Sequence, residues 1–137
     1  MIIDYKNNIK SEEQTLNSIF NKLDEYSLLP ENWDGYGCDK PNLQIIENAR
    51  KFISELMKNI NVIPKTMISS YGAVGFYFKL DKTRYIEIEI EEDRYSYFVD
   101  TDVSGLFGKD DLKLEEIDAD LISAINLMHK EENEKNL

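Results

Sequence analysis

Residues 84–92, RYIEIEIEE, alternate isoleucine and glutamate almost without fault. Successive side chains of a strand point to opposite faces, so Ile86, Ile88 and Ile90 share one face and Glu87, Glu89 and Glu91 the other. A strand divided in this way belongs to a sheet with one covered face and one face in water. The neighbouring sequence keeps the same period. VGFYFKL places Val74, Phe76, Phe78 and Leu80 on one side, while KTMISSYG and RYSYFVD read as two further strands. The glycines of YGAVG and the short DKT and EEDR connections are turn chemistry. Connections this short join antiparallel neighbours, which predicts a four-stranded meander.

The covered face needs helices. Leu16, Ile19, Phe20 and Leu23 repeat at helical spacing behind Ser11 and Gln14, a capping-box pair, and predict a helix over roughly 12–27. Pro41 and Asn42 open a second helix, with Asn42 placed to cap it. Its Ile45, Ile46, Ala49, Phe52, Ile53, Leu56, Met57 and Ile60 form a wide apolar stripe. A last helix is predicted over about 113–132 on Leu114, Ile117, Leu121, Ile125 and Met128, with a charged end that frays from about 131. No repeat or linker interrupts the chain. Residues 1–137 therefore read as one α+β domain: two N-terminal helices, a four-stranded antiparallel meander and a C-terminal helix around a shared core.

The composition, 42% hydrophobic and 11% aromatic, is that of a folded chain. No apolar run approaches the eighteen or so residues of a membrane helix. The opening MIIDYKNNIK has no apolar core or cleavage site of a signal peptide. Cys38 is the only cysteine, so it forms no internal disulfide. The expectation is a bacterial-type cytoplasmic protein. Its net charge of −11 is unevenly placed: residues 1–80 carry 10 acids against 9 bases, and residues 81–137 carry 17 against 7. Such a chain repels nucleic acid and anionic membranes and suits a basic protein partner or a cation.

The rare residues gather in LPENWDGYGCDKP, residues 29–41. Gly35 and Gly37 suit positive φ, Asp34 suits local turn hydrogen bonds, and Trp33 has the size to anchor a corner between two helices. The same residues could instead make a stacking platform of Trp33 and Tyr36, with Asp34 as its polar contact. This loop, with Ala49 and Phe52 on the following helix and IEIEI downstream, resembles a family of small uncharacterised bacterial proteins. Those share a Leu-Pro-x-Asn-Trp-Asp-Gly-Tyr-Gly-Ala loop, then a helix and an antiparallel sheet, and the likeness spans roughly residues 20–100. It implies no particular activity. Cys38 stands where alanine is usual, which implies a small-residue replacement and not a nucleophile. Small proteins of this kind are suspected of belonging to mobile-element, toxin–antitoxin or immunity systems.

Two constellations bear on function. In DTDVSGLFGKDD, residues 100–111, Asp100, Asp102, Ser104 and Asp111 fall at positions 1, 3, 5 and 12 of a calcium loop, with Gly105 at position 6. A strand precedes it where a helix belongs, and the last ligand is aspartate instead of glutamate. The alternative is a polar loop whose Asp110 or Asp111 caps the last helix. The second constellation is the outward sheet face. Tyr85, Glu87, Glu89 and Glu91, joined by Tyr95 and Tyr97 or by Tyr77 and Lys79 from a neighbouring strand, make an acidic, tyrosine-rich surface suited to basic partners.

Signals of catalysis are thin: His129 is the only histidine, and no phosphate loop, zinc spacing or nucleophile elbow appears. The leading expectation is a non-catalytic binding module without cofactor, an acidic antitoxin, immunity or inhibitor protein that masks a basic surface of a toxin or nuclease. The alternatives are a calcium- or small-ligand-binding module using residues 100–111, and a carboxylate-dependent hydrolase.

Overall fold

The computed structural model describes residues 16–135. The predicted capping pair Ser11 and Gln14, and the helical positions 12–15, lie outside the described residues. Residues 16–27 are helical (α1) and are followed by α2, Leu43–Leu56. Then come five strands, β1 Lys65–Ile68, β2 Val74–Asp81, β3 Arg84–Ile90, β4 Tyr95–Thr101 and β5 Gly105–Leu112, and α3, Ala119–Lys135. The strands form one antiparallel sheet in the order β1-β2-β3-β4-β5. The class is the α+β one read from the sequence, with one strand more.

Helix α2 starts where its chemistry asks. The Asn42 side chain accepts a hydrogen bond from the Ile45 amide at 2.8 Å, and Ile45, Ile46, Ala49, Phe52, Ile53 and Leu56 are buried. They meet the inner sheet face, where Val74, Phe76 and Phe78 of β2, Ile86, Ile88 and Ile90 of β3, and Val99 of β4 complete the core. Fully burying each isoleucine of β3 is worth about 1.5–3 kcal/mol. The repulsion between aligned glutamates on the other face costs at most about 1 kcal/mol per pair. Burial therefore decides which way β3 faces.

The fifth strand corrects the prediction. GLFGKDDL carries two glycines and three charges, so no alternation marks it. It pairs nonetheless with β4 from Thr101–Gly105 to Tyr95–Leu112, with a register shift between Tyr95 and Tyr97. The extra residue falls at Asp110–Asp111, where Asp111 has φ 57 and the chain bulges. Because β5 uses residues 105–112, the last helix starts at Ala119 and not near 113. Asp110 and Asp111 consequently do not cap it; Asp118 does, accepting from the Leu121 amide. At its far end the helix runs to Lys135, past the predicted bound of about 132.

Two polar ties hold α3 to the sheet. Tyr95 Oη donates to the Glu116 carbonyl at 2.7 Å and accepts from the Asp118 amide at 3.0 Å. Tyr97 Oη donates to Asp118 Oδ2 at 2.6 Å, and Lys109 Nζ reaches Asp118 Oδ1 at 3.0 Å and Asp120 Oδ2 at 2.9 Å. At the other end the buried Arg84 guanidinium joins Asp81 of its own hairpin to Glu131 of α3, at 3.2 Å from the latter. Asp81's carboxyl is held well below the usual range, chiefly by that arginine. For Asp118, burial alone would raise the pKa, but hydrogen bonds from Tyr97 and Lys109 outweigh it and the net shift is downward.

A carboxyl lowered by folding contributes stability above its unfolded pKa and loses it as pH falls through the folded one. Asp118→Ala is expected to lower unfolding free energy by about 1–2 kcal/mol at pH 7 through the lost cap and the stranded Tyr97 hydroxyl. The gap between wild type and variant should narrow below about pH 4. Urea denaturation at the two pH values measures both effects.

Candidate interaction face of the sheet

Among the described residues all three helices lie on the inner side and none covers the outer face of the sheet. Directly paired residues of an antiparallel sheet share a face, so the register identifies its members. From β1 and β2 come Lys65 opposite Tyr77, and Met67 opposite Gly75. From β2 and β3 come Lys79 opposite Tyr85, Tyr77 opposite Glu87, and Gly75 opposite Glu89. Beyond β3, Ser96, Phe98 and Asp100 of β4 face outward with Gly108 and Leu106 of β5. The face is electrically divided: the lysines lie on β1 and β2, the carboxylates on β3 to β5.

Four of the six residues predicted for partner binding lie on this side. Tyr85 is half-buried, donates to Glu87 Oε1 at 3.1 Å and stacks obliquely with Tyr77, ring centroids 6.1 Å apart. Burial first, and Glu87's charge second, push its hydroxyl up to about 12. Glu87 and Glu89 project outward as expected. Glu91 lies just past the end of β3, in the turn, where Arg94 Nε sits 3.3 Å from its carboxylate and offsets its charge.

Tyr95 and Tyr97 are a correction. Their relative exposures are 0% and 3%, and they pair with Ile90 and Ile88 on the covered face. Phe52 stacks on Tyr95 with centroids 4.7 Å apart. These rings are core, and their hydroxyls serve α3. The outward ring of β4 is Phe98, 41% exposed, with Leu106 of β5 diagonal to it and 70% exposed. The signal was present in RYSYFVD: Ser96 and Asp100, its polar members, share the parity of Phe98. Two bulky tyrosines drew attention to the wrong parity.

Glu87, Glu89, Ser96, Phe98, Gly108 and Asp110 line a groove of about 360 Å³ on this face. Glu89 sits in its floor beside Gly75, over which the Met67 side chain lies. Among the described residues its buried Oε1 has no hydrogen-bond partner. Burial, and then Glu91's charge, raise the Glu89 pKa.

The residues proposed for calcium do not assemble. Asp100 lies within β4, Asp102 and Ser104 belong to the hairpin turn, and β5 then carries the chain away along β4. Asp111 lies at the opposite end of that strand, 3.0 Å from Arg94. Strand pairing, stronger here than loop chemistry, separates the four side chains. Among the described residues no group of three or more histidine, cysteine, aspartate or glutamate side chains is arranged to hold a metal.

The Trp33 loop closes on itself. Asp34 Oδ1 accepts from the Tyr36 amide at 3.0 Å and the Cys38 amide at 3.3 Å, and Asn32 Oδ1 accepts from the Gly37 amide. Gly35 and Gly37 have φ 78 and 83, as their positions suggested. Trp33 is half-buried and donates through Nε1 to the Asp39 carbonyl at 3.0 Å, so it staples the loop's own backbone. The hydrogen bond that the Cys38 thiol donates to the Asp34 carboxylate keeps the thiol above its ordinary pKa, which makes it a poor nucleophile. The loop leans on the β1–β2 turn, where the Asp39 amide donates to the Ser70 carbonyl at 3.2 Å.

No family model, curated protein or solved structure matches this chain, so the likeness carried by the Trp33 loop rests on the sequence alone. None of the helices among the described residues is long and apolar enough to cross a membrane.

Two expectations follow from this geometry. Gly72 has φ 88, and a Cβ there would lie 2.9 Å from the Lys40 carbonyl oxygen. Gly72→Ala should therefore cost more than about 1 kcal/mol and speed amide exchange of residues 38–40, read by denaturation and hydrogen exchange. Glu89, raised by folding, weakens the free protein where it is ionised. Glu89→Gln should raise the urea midpoint at pH 7 and leave it unchanged below about pH 4, where both states of the wild type are protonated.

Proposed function

We propose that this protein is a non-catalytic binding module that captures a basic surface of another protein through the outer face of its sheet. The reading fits an acidic antitoxin, immunity or inhibitor protein covering the nucleic-acid site of a target such as a nuclease. One observation carries it: Glu87, Glu89 and Asp110 line one groove around the exposed Phe98 ring, and the buried Glu89 Oε1 has no partner there among the described residues. An orphaned acceptor of this kind is costly in the free chain. A guanidinium or ammonium brought by a partner would satisfy it.

The mechanism follows from the distribution of charge. Seventeen of the 27 acids lie after residue 80, so the field steers a basic surface toward this half of the molecule. On docking, Phe98 and Leu106 would supply apolar contact while the carboxylates fix orientation. Tyr85 acts from beside the groove, holding the Glu87 carboxylate through its hydroxyl. Nothing in this arrangement needs a bond to be made or broken.

The test is affinity capture from the source cell with wild type and with a Glu87→Lys, Glu89→Lys, Asp110→Lys variant whose fold is checked by circular dichroism. Wild type should retain a basic protein that is released at about 1 M salt, where the screening length is about 3 Å. The variant should retain none. A partner held equally well by both would remove this face from the site.

A further inference from the structure

The outer face contains two glycines in paired strands, and they are treated differently. Gly75 on β2 is covered: Met67, its direct partner on β1, lays its side chain across it, and a Cβ on Gly75 would come within 2.8 Å of Met67 Cγ. Gly108 on β5 is uncovered. It pairs with Phe98 on one side, and among the described residues β5 has no neighbour on the other. A Cβ at Gly108 would meet the Tyr97 carbonyl oxygen at 2.7 Å, so the position cannot carry its own side chain without moving the backbone. The notch that results opens on the Phe98 ring, Glu89 and Asp110.

The edge itself is open for pairing. Natural sheets blunt their edges with bulges and charges, and β5 has both, but only at its end: the shift falls at Asp110–Asp111. The stretch from Gly105 to Lys109 keeps regular register and carries Leu106, 70% exposed. A second copy of this chain would bring another −11 to the same edge, so the occupant that charge favours is a basic one.

We propose that the partner adds an extended basic segment to β5 as a sixth strand, with an arginine opposite Gly108 that lies across the notch as Met67 lies across Gly75. This rests on the acidic-face reading and specifies how the partner docks. Main-chain hydrogen bonds along Gly105–Lys109 give the pairing, and alternate side chains of the added strand reach the outer face. The arginine places its planar guanidinium over the Phe98 ring and within reach of Asp110. Lysine, a point charge without the flat fork, fits this notch less well.

The experiment uses the full chain and an N-acetylated, C-amidated eight-residue peptide alternating valine and threonine, with lysine at both ends and arginine at one central position. Binding is followed by calorimetry and by hydrogen exchange of β5. The expected result is protection of residues 105–109, with affinity at least tenfold weaker when arginine is replaced by glutamine or when Phe98→Ala is introduced. A peptide of equal charge with proline at two central positions, which cannot pair along an edge, should not bind.

Equal binding of the proline peptide, or binding that leaves β5 exchange unchanged, would overturn strand addition. The acidic-face reading would survive that result if Glu87→Lys, Glu89→Lys and Asp110→Lys still abolished binding. Failure of every basic peptide would overturn the proposal, and the capture experiment on the triple variant would then decide the broader reading alone. Concentration-dependent protection of β5 without peptide would assign the edge to a second copy and overturn it as well.

Discussion

Three isoleucines on β3 are buried completely between the helices and the neighbouring strands, and everything else in the sheet is obliged to agree with them. Direct pairing commits Phe76, Phe78, Tyr95, Tyr97 and Val99 to the same side. A slip of one residue would exchange this set for Tyr77, Lys79, Ser96, Phe98 and Asp100 and bring Glu87 and Glu89 into the core. Burial of several large side chains, at about 1.5–3 kcal/mol each, outweighs every local preference on the outer face. The acidic surface is thus a consequence of where the isoleucines go, and the glutamates occupy the positions left over.

The helices complete the division. Helix α2 lies over β2 and β3 through its apolar stripe, and α3 is tied down by the hydroxyls of Tyr95 and Tyr97 at its N-terminus and by Arg84 toward its C-terminus. Both tyrosines are amphipathic, so they fill the core with their rings and hold the start of α3 with their oxygens. Among the described residues all three helices lie on one side, the other side has no cover, and the sheet ends at β5 with an unpaired edge. Acidic face and open edge are adjacent, which is why a single extended partner could use both.

The elements with strong period were legible in the sequence: α2 with its Asn42 cap, and the strands around IEIEI. The fifth strand was not, because Gly105, Gly108, Lys109, Asp110 and Asp111 have weak strand propensity and a bulge interrupts their alternation. Pairing to β4 supplies what propensity lacks. That one omission also produced the calcium-loop expectation and the misplaced start of the last helix, since all three concern residues 100–118. The Trp33 loop was legible as turn chemistry, whereas its docking against Gly72 depends on a contact between segments more than thirty residues apart.

By itself the sequence determined the class of the fold, the burial of the β3 isoleucines and the outward course of Glu87 and Glu89, because period and hydrophobicity are properties of neighbours along the chain. Tertiary structure alone decided the parity of β4, and with it that Tyr95 and Tyr97 turn inward and Phe98 outward. It also decided that Asp111 meets Arg94 instead of Asp100, and that Gly108 leaves a notch where Gly75 does not. Each of these is set by register between strands, and register is a property of pairing that no single segment contains.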